Sequence, residues 1–328
     1  MQKEELNSLY LLYGEETYLL EKTVKNIKKS FGEIVPGINY ITIDQDNLNT
    51  LIPNIETPAF GFEKKLIIVK SGGKLFKKTA KAKNVEADKI AEYIEENIKL
   101  INEAVILVFI EQEINKGSLT KTIEKYGKVQ EFKKLTPMEA TKTIKKICTQ
   151  YEVNIANDVL ATFIDTCGLD LQNLINEIRK LIEYVGKNGT ITNKEILLLS
   201  VKEFDSVIFD LTDNLGKKNI AKAMEILKEL VYNKEPIQKI LITLYGHFRK
   251  LYITLLAEKQ NKNIAEALNL KPNQMFLVSK YKMQAKYFKE KELRKVLEEL
   301  IELDYNSKQG LIDVGIGLEA ILCAYCGI

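Results

Sequence analysis

The first third of the chain alternates short hydrophobic runs with amphipathic segments. The hydrophobic runs predict five strands, at residues 8–13, 39–43, 65–70, 104–110 and 128–132. Between them, apolar residues at helical spacing predict helices at 17–31, 48–55, 86–98 and 119–126. Strands separated by helices favour a mostly parallel sheet with helices on both faces and right-handed connections. The sequence therefore predicts a three-layer α/β domain.

An aromatic turn precedes one of these strands, in the segment TPAFGFEKKLIIVK at residues 57–70. Residues 66–69 have no polar break, which is typical of a strand covered on both faces of a parallel sheet. Phe60 and Phe62 flank Gly61 where the chain enters the sheet. The two aromatic side chains either pack into the core or project as an anchor for another protein. From the residues alone, the core interpretation is favoured.

From residue 136 onward the pattern is helical, and we find no convincing strand. Thr136, Pro137 and Glu139 have the order of a helix start, with an N-cap, proline at the first helical position and an acid at the third. Helices are predicted at 157–167, 171–185, 193–200, 207–216, 220–232, 237–259, 264–268, 272–283, 290–305 and 311–325. We place domain boundaries near residues 138 and 208.

Composition indicates an ordinary soluble protein of two or three domains. The chain has 328 residues, of which 45% are hydrophobic and 28% charged. No apolar run approaches the roughly 20 residues of a membrane span, and acidic Glu4 comes too early for a secretory signal. We therefore expect a cytoplasmic protein. A net charge of +3 does not favour bulk binding of a polyanion.

Cysteine and histidine offer few candidates for catalysis or metal binding. The four cysteines are sparse, as expected in a reducing compartment. Cys323 and Cys326 have CxxC spacing, but a zinc site needs four ligands and no second pair lies nearby. For this pair, helix packing is favoured over a metal or redox role. His247, the single histidine, lies beside Leu244 and Phe248, so packing is again favoured over a catalytic base.

The chain lacks the phosphate-binding loop of an ATPase. Such a loop, GxxxxGK[ST], follows the first strand and supplies backbone N–H groups, a lysine and a hydroxyl for phosphates and Mg²⁺. Here Gly14 is followed by Glu15 and Glu16, whose carboxylates would repel phosphate. The fourth strand is followed by Glu111, with no aspartate to hold a metal. We expect no catalytic residue, cofactor or metal, and nucleotide binding at an unusual ATPase site is disfavoured.

A lysine-rich stretch follows the aromatic turn. Eight lysines and no acid lie between Lys64 and Val85: Lys64, Lys65, Lys70, Lys74, Lys77, Lys78, Lys81 and Lys83. Together with Gly72 and Gly73, they predict a mobile basic loop. A solvated loop is favoured. The alternative is contact with a DNA backbone, for which the candidates are Lys74, Lys77, Lys78 and Lys81.

Five segments occur in a fixed order along the chain: LYLLYGEETYLLEKTVKNI, PAFGFEKKLIIV, GLDLQNLINEIRKLIEYV, LYGHFRKLY and KQGLIDVGIGLEAIL. In order and spacing they resemble the delta subunit of the bacterial DNA polymerase III clamp loader over essentially the whole chain. LYLLYGEETYLLEKTVKNI resembles its first strand and helix, including the lost phosphate loop. PAFGFEKKLIIV resembles its clamp-contacting tip and the following strand. GLDLQNLINEIRKLIEYV resembles its lid helices, and Arg249 in LYGHFRKLY and the segment KQGLIDVGIGLEAIL resemble its collar helices.

The resemblance implies three domains: an AAA+-like parallel-sheet domain without a P-loop (1–138), a small helical lid (139–208) and a helical oligomerisation collar (209–328). It also implies a non-ATPase subunit of the DNA-directed DNA polymerase (nucleotidyltransferase) holoenzyme. In DNA replication this subunit would bind the sliding clamp and open its ring for loading on primed DNA. The implied partners are the clamp, the gamma/tau and delta-prime subunits through the collar, and primer–template DNA. Neither a membrane nor a small-molecule substrate is expected.

The resemblance reverses the interpretation of Phe60, which is now expected to be exposed. It implies that Phe60 and Ala59 enter a hydrophobic pocket on the clamp. Family members usually carry a larger apolar residue at position 59, and Phe62 is expected to compensate. The alternative function, nucleic-acid binding by the stretch from Lys64 to Lys83, predicts salt-sensitive DNA binding by the isolated chain.

Overall fold

The computed structural model describes residues 6–76 and 84–326. The chain divides into two compact units between Lys134 and Leu135. This division lies close to the predicted boundary near residue 138. Within the part of the chain that the structure describes, no helix is both long enough and apolar enough to cross a bilayer.

The first unit is built on a five-stranded sheet in the order β2-β3-β4-β1-β5. All neighbouring strands are parallel, which confirms the predicted sheet. The strands are β1 (Leu9–Gly14), β2 (Tyr40–Ile43), β3 (Lys65–Val69), β4 (Val105–Glu111) and β5 (Lys128–Phe132). The helices are α1 (Thr17–Phe31), α2 (Leu51–Glu56), α3 (Val85–Glu96), α4 (Ile98–Ala104) and α5 (Ser118–Tyr126).

The predicted helix at 48–55 consists of a 3-10 turn, Leu48–Thr50, followed by α2. Helix α4 was not predicted as a separate element. It fills the interval between the predicted helix at 86–98 and the strand that begins at Val105.

Both faces of the sheet are covered in the central strands. Ile67 and Val69 of β3 belong to one hydrophobic cluster, together with residues of α2, α3 and α5. Leu66 and Ile68 belong to a second cluster on the opposite face, which includes Leu20 of α1. Because successive side chains of a strand point to opposite faces, β3 is buried on both sides, as its unbroken apolar run predicted.

The second unit is mainly helical. Its helices are α6 (Pro137–Gln150), α7 (Asn157–Cys167), α8 (Leu171–Val185), α9 (Asn193–Leu199), α10 (Phe204–Gly216), α11 (Ile220–Tyr232), α12 (Ile237–Lys259), α13 (Ile264–Ala267), α14 (Leu277–Ala285), α15 (Glu290–Lys308) and α16 (Val314–Cys326). A 3-10 turn, Pro272–Gln274, precedes α14, so the predicted helix at 272–283 is interrupted.

The expectation of no strand after residue 136 was wrong. Asn154–Ile155 (β6) and Thr190–Ile191 (β7) pair in parallel. Strands of two residues are too short to show a period-two pattern, so the sequence carried no periodic signal for them.

The predicted start of α6 is confirmed. The Glu139 N–H donates to Thr136 Oγ1 at 3.3 Å, and the Thr136 N–H donates to the Glu139 carboxylate at 2.8 Å. This reciprocal pair is a capping box with proline at the start of the helix. The hydrogen bonds from Thr136 lower the pKa of Glu139.

The second unit has two hydrophobic clusters. One extends from Ala140 to Ile196 and includes residues of α6, α7 and α8. The other extends from Ile208 to Leu322 and includes residues of α10, α12 and α15. The proposed boundary near residue 208 falls between these clusters, and the three-domain division remains a prediction.

Candidate functional site

Residues 57–64, here called the tip, connect α2 to β3 in the first unit. The Phe62 N–H donates to the Ala59 carbonyl at 2.9 Å and closes a four-residue turn. Gly61 has φ +83°, the left-handed conformation that the third residue of a type II turn requires. Phe60 is therefore the second residue of a tight turn, at its corner.

Phe60 is 89% exposed, more than any other large hydrophobic side chain among the described residues. The core interpretation that the residues alone favoured is therefore wrong for Phe60. Ala59 and Phe62 are half-buried, on either side of the corner. The turn thus brings the three predicted clamp-binding residues together, with one aromatic ring open to solvent.

Lys65 holds the base of the tip. This residue begins β3, and its side chain is buried, with 3% of the residue exposed. Its Nζ donates to the Thr57 carbonyl at 2.6 Å and to the Asn54 carbonyl at 3.0 Å. These carbonyls lie at the C-terminal end of α2, where the helix dipole favours a cation. Burial lowers the pKa of Lys65.

Sequence reasoning missed this role, because it counted Lys65 only as one of eight lysines. The available signal was its position as the first residue of a strand buried on both faces. A lysine at such a position has to find polar partners or reach solvent.

Two further contacts lie at the two ends of the tip. The Thr57 N–H and hydroxyl both donate to the Pro53 carbonyl, at 3.1 and 2.7 Å, and so satisfy a carbonyl at the end of α2. Lys64, the neighbour of Lys65, donates from Nζ to the Asn102 carbonyl in α4 at 3.2 Å. The two adjacent lysines therefore contact different helices.

Of the candidate DNA-contacting lysines, the structure describes only Lys74. Its Nζ donates to the Gln45 carbonyl at 2.6 Å. Lys77, Lys78 and Lys81 lie outside the described residues. The predicted DNA contact of these four lysines therefore stays a prediction.

Glu111, at the end of β4, has a structural role that the sequence analysis did not predict. Its buried carboxylate accepts hydrogen bonds from the Ser71 N–H at 3.0 Å, the Gly73 N–H at 2.9 Å and the Ser71 hydroxyl. These contacts hold the residues that follow β3 against β4. Ser71 and Glu111 are 40 positions apart in the sequence, so no local pattern indicated the pairing.

The link between β1 and α1 consists of Glu15 and Glu16. A Cβ on Gly14, which has φ +134°, would lie 2.1 Å from the Phe132 carbonyl oxygen, so β1 and β5 approach too closely there for another residue. The Glu16 N–H donates to the same oxygen at 3.0 Å. This short acidic link lacks the length and the basic residue of a phosphate-binding loop.

A groove of about 680 Å³ lies beside this link, at the carboxyl edge of the sheet. Lys25, Lys28 and Lys70 line it together with Glu21 and Glu113. Acidic and basic residues are mixed, so the charge of the groove does not select an anionic or a cationic ligand.

The remaining titratable candidates are packing residues in the helical unit. His247 is buried, and its Nε2 lies 2.5 Å from Gln284 Oε1. Burial lowers the pKa of His247 to about 4. Burial raises the pKa of Cys148 to about 11 and that of Cys167 to about 12, which keeps both thiols protonated.

Cys323 of the CxxC pair is half-buried in α16, and the side chain of Cys326 lies outside what the structure describes. Among the described residues, no three histidine, cysteine, aspartate or glutamate side chains are grouped closely enough to hold a metal ion.

Comparison with known proteins identifies related chains over nearly the whole length. Two family models match: DNA polymerase III, delta subunit, at residues 10–133, and DNA polymerase III delta subunit, C-terminal domain, at residues 205–325. DNA polymerase III subunit delta of Bacillus subtilis is 28% identical over 332 residues, covering 98% of this chain and 94% of the relative.

A second relative and a solved structure agree. The probable DNA polymerase III subunit delta of Aquifex aeolicus is 24% identical over 310 residues, covering 92% of this chain and 86% of the relative. The structure of the Bacillus subtilis DNA clamp loader delta protein matches with a TM-score of 0.71 and 26% identity. That match covers 99% of this chain and 96% of the solved one.

Proposed function

Because the chain belongs to the DNA polymerase III delta-subunit family, we propose that it binds the sliding clamp through Phe60 and opens the clamp ring for loading on primed DNA. Family membership confirms the resemblance seen in the sequence and assigns the chain to DNA replication as a clamp-loader subunit. The predicted fold class, an AAA+-like parallel-sheet domain followed by helical parts, is confirmed.

The exposed Phe60 ring is the observation that supports this proposal. An aromatic side chain that is 89% exposed has most of its apolar surface in water, and burying that surface in a pocket on a partner is favourable. Its place at the corner of a closed turn presents the ring ahead of the neighbouring residues. Truncating an anchor of this kind costs about 2 kcal/mol or more, which is about a 30-fold loss of affinity.

Ring opening requires only that the chain binds the open clamp more tightly than the closed one. In the proposed cycle, partner subunits bind ATP and expose the tip, since Glu15 and Glu16 occupy the place of a phosphate-binding loop in this chain. The proposed partners are the gamma/tau and delta-prime subunits, bound through the C-terminal helices. The proposed compartment is the cytoplasm, and the chain is expected to have no catalytic activity of its own.

Surface plasmon resonance on the purified chain and its cognate sliding clamp tests the proposed contact. We expect Phe60→Ala to weaken binding about 30-fold. Tyr232→Ala is the matched control, because Tyr232 is an aromatic residue in the other unit with 86% exposure. The control should bind like the wild type. Equal binding by Phe60→Ala and the wild type would overturn the role of Phe60, and loss of binding only in Phe62→Ala would move the anchor to Phe62.

Ring opening has its own measurement. With a donor and an acceptor fluorophore placed across one interface of the clamp, the wild-type chain should lower the energy transfer between them. Phe60→Ala should require about 30-fold more protein for the same change. Binding without any change in energy transfer would contradict the opening role and leave the contact intact.

DNA binding through the stretch from Lys64 to Lys83 is favoured by no contact among the described residues. Lys64, Lys65 and Lys74 all donate hydrogen bonds to backbone carbonyls of the first unit. Contact with primer–template DNA in the full assembly remains a prediction. A strong dependence of DNA affinity on salt, reduced by substituting Lys77 and Lys78, would support it.

A further inference from the structure

We propose that Lys65 is a positioning residue for clamp binding, whose buried amine holds the two ends of the tip together and so presents Phe60. This inference rests on the proposed function, since it requires Phe60 to contact the clamp. Its starting point is the pair of hydrogen bonds from Lys65 Nζ to the Thr57 and Asn54 carbonyls.

Lys65 is itself firmly placed. In the sheet it pairs with Val105 of β4, and the next residue, Leu66, donates its N–H to the Asn39 carbonyl at 2.8 Å. The strand that Lys65 begins is buried on both faces. The backbone that carries the amine is therefore part of the rigid sheet.

The amine joins the two ends of the tip. Thr57 is the residue at which the chain leaves α2, and Lys65 is the residue at which it enters β3. A direct hydrogen bond between them closes the intervening segment into a loop, inside which the Phe62 to Ala59 hydrogen bond closes a second, tighter turn. Closing a loop removes conformations that binding would otherwise have to exclude.

The orientation of the Phe60 ring depends on this loop closure more than the orientation of a packed side chain would. Since the residue is 89% exposed, its ring has little packing against its own unit. The direction of the ring therefore follows the backbone of the turn, and the backbone follows its base. An anchor held in its bound conformation binds more tightly because less freedom is lost on association.

An apolar residue at position 65 would not serve this purpose. The side chain of Lys65 lies on the same face of the sheet as Ile67 and Val69, where a hydrophobic residue could pack. It would, however, leave the Asn54 and Thr57 carbonyls at the end of α2 without the amine donor. Burying an amine is unfavourable by itself, but here its two hydrogen bonds attach the tip to the sheet.

A double-mutant cycle measured by clamp binding tests this inference. Lys65→Met removes the amine and keeps the length of the aliphatic chain. We expect it to weaken clamp binding about tenfold, through a tip that is no longer held. In the Lys65→Met background, Phe60→Ala should cost about fivefold instead of the 30-fold expected in the wild type, since an unpositioned ring contributes less.

Lys74→Met is the matched control. It makes the same chemical change and removes a hydrogen bond from a lysine Nζ to a backbone carbonyl, that of Gln45 at 2.6 Å, in the first unit but outside the tip. Its clamp affinity should stay within about twofold of the wild type. Lys65→Arg, which restores donors at the site, should recover part of the affinity lost in Lys65→Met.

Hydrogen exchange gives a readout that a purely structural role would not produce. In Lys65→Met the Phe62 N–H, which closes the turn, should exchange faster, while the N–H groups of β3 should keep their protection. Should Lys65→Met fail to fold, Lys65→Leu, which also lacks a donor, is measured in the same cycle. The expected result is again a weaker effect of Phe60→Ala.

The outcomes separate the two proposals. If Phe60→Ala does not weaken binding in the wild type, the proposed clamp contact fails, and this inference fails with it. If Phe60→Ala weakens binding by the same factor with and without Lys65, the effects are independent. In that case the positioning role is overturned and the clamp contact stands.

Discussion

Lys65 in the first unit and His247 in the second are both buried side chains that donate hydrogen bonds. Lys65 bonds two backbone carbonyls below an exposed turn. His247 bonds Gln284 inside the helical core, where its ring packs edge-on against Phe209 with 4.4 Å between ring centroids. One buried group therefore supports a surface residue, and the other joins core helices.

The comparison indicates what a buried polar group can affect. His247 contacts Gln284, Phe209 and Tyr281 within the helical core, so a change there should alter the stability of the fold alone. The segment that Lys65 bonds carries Phe60 at the corner of its turn, so a change at Lys65 should alter how this exposed residue is presented. The effect of a buried hydrogen-bond donor thus depends on whether the segment that it bonds carries an exposed residue.

The Gln284 amide links three helices. Its Nε2 donates to the Phe209 carbonyl and to Thr212 Oγ1, each at 3.0 Å. Its Oε1 therefore faces His247, and His247 Nε2 carries the proton. Helices α10, α12 and α14 are joined through this one side chain.

Gln284→Leu should give the largest change in stability on the His247 side of the comparison. It leaves the buried His247 Nε2–H without its acceptor and removes both donations from the amide, so the free energy of unfolding should fall by about 3 kcal/mol. Urea denaturation measures this change.

Gln238→Leu, at an exposed position of α12, is the control and should change stability by less than about 0.5 kcal/mol. Clamp affinity of folded Gln284→Leu should equal that of the wild type, and a selective loss of clamp binding would contradict a purely structural role for Gln284.

Acid should destabilise the fold through His247. Burial lowers its pKa in the folded state from an ordinary value of 6.5 to about 4. Between these two values the unfolded chain binds a proton that the folded chain does not, so stability falls as the pH falls from about 6.5 to about 4. At about 1.4 kcal/mol per pKa unit, the loss between pH 7 and pH 4 is about 3 kcal/mol.

Denaturation curves between pH 7 and pH 4 measure this loss, and His247→Gln provides the reference. Because the chain has one histidine, the difference between the two pH profiles isolates His247 from the carboxylates. The expected difference grows as the pH falls. Parallel profiles would show that His247 is not the group responsible.

Gly61→Ala should have a smaller effect on stability, and Gly37→Ala is its matched control. Gly61 has φ +83°, and Gly37, in a loop of the same unit, has φ +80°. A Cβ at either position meets no atom within 4 Å, so each substitution to alanine is opposed by backbone conformation alone. Both variants should lose about 1 kcal/mol of stability.

Clamp binding should separate these two glycine variants. Gly61→Ala distorts the turn that presents Phe60 and should weaken binding about fivefold, whereas Gly37→Ala should bind like the wild type. Surface plasmon resonance on the two purified variants makes the comparison. Equal affinities would contradict a role for the turn in presenting Phe60.

Most secondary-structure elements could be predicted from the amino-acid pattern. The five strands, the parallel connections and the capping box at Thr136 were predictable, because the spacing of apolar residues and the N-cap signal are local. The acidic link at Glu15 and Glu16 was equally visible, since a phosphate-binding loop has a compact motif.

In contrast, the burial of individual side chains and their hydrogen-bond partners could be read only from the folded chain. The exposure of Phe60 depends on the turn around Gly61; the residue types alone favoured burial, and only the family resemblance predicted an exposed ring. Lys65 looked like one more solvated lysine until α2 was placed beside β3. His247 and Gln284 meet across 37 positions, and Ser71 and Glu111 across 40. Periodicity reports the face that a residue takes within its own element, whereas its hydrogen-bond partners come from elements that only folding brings together.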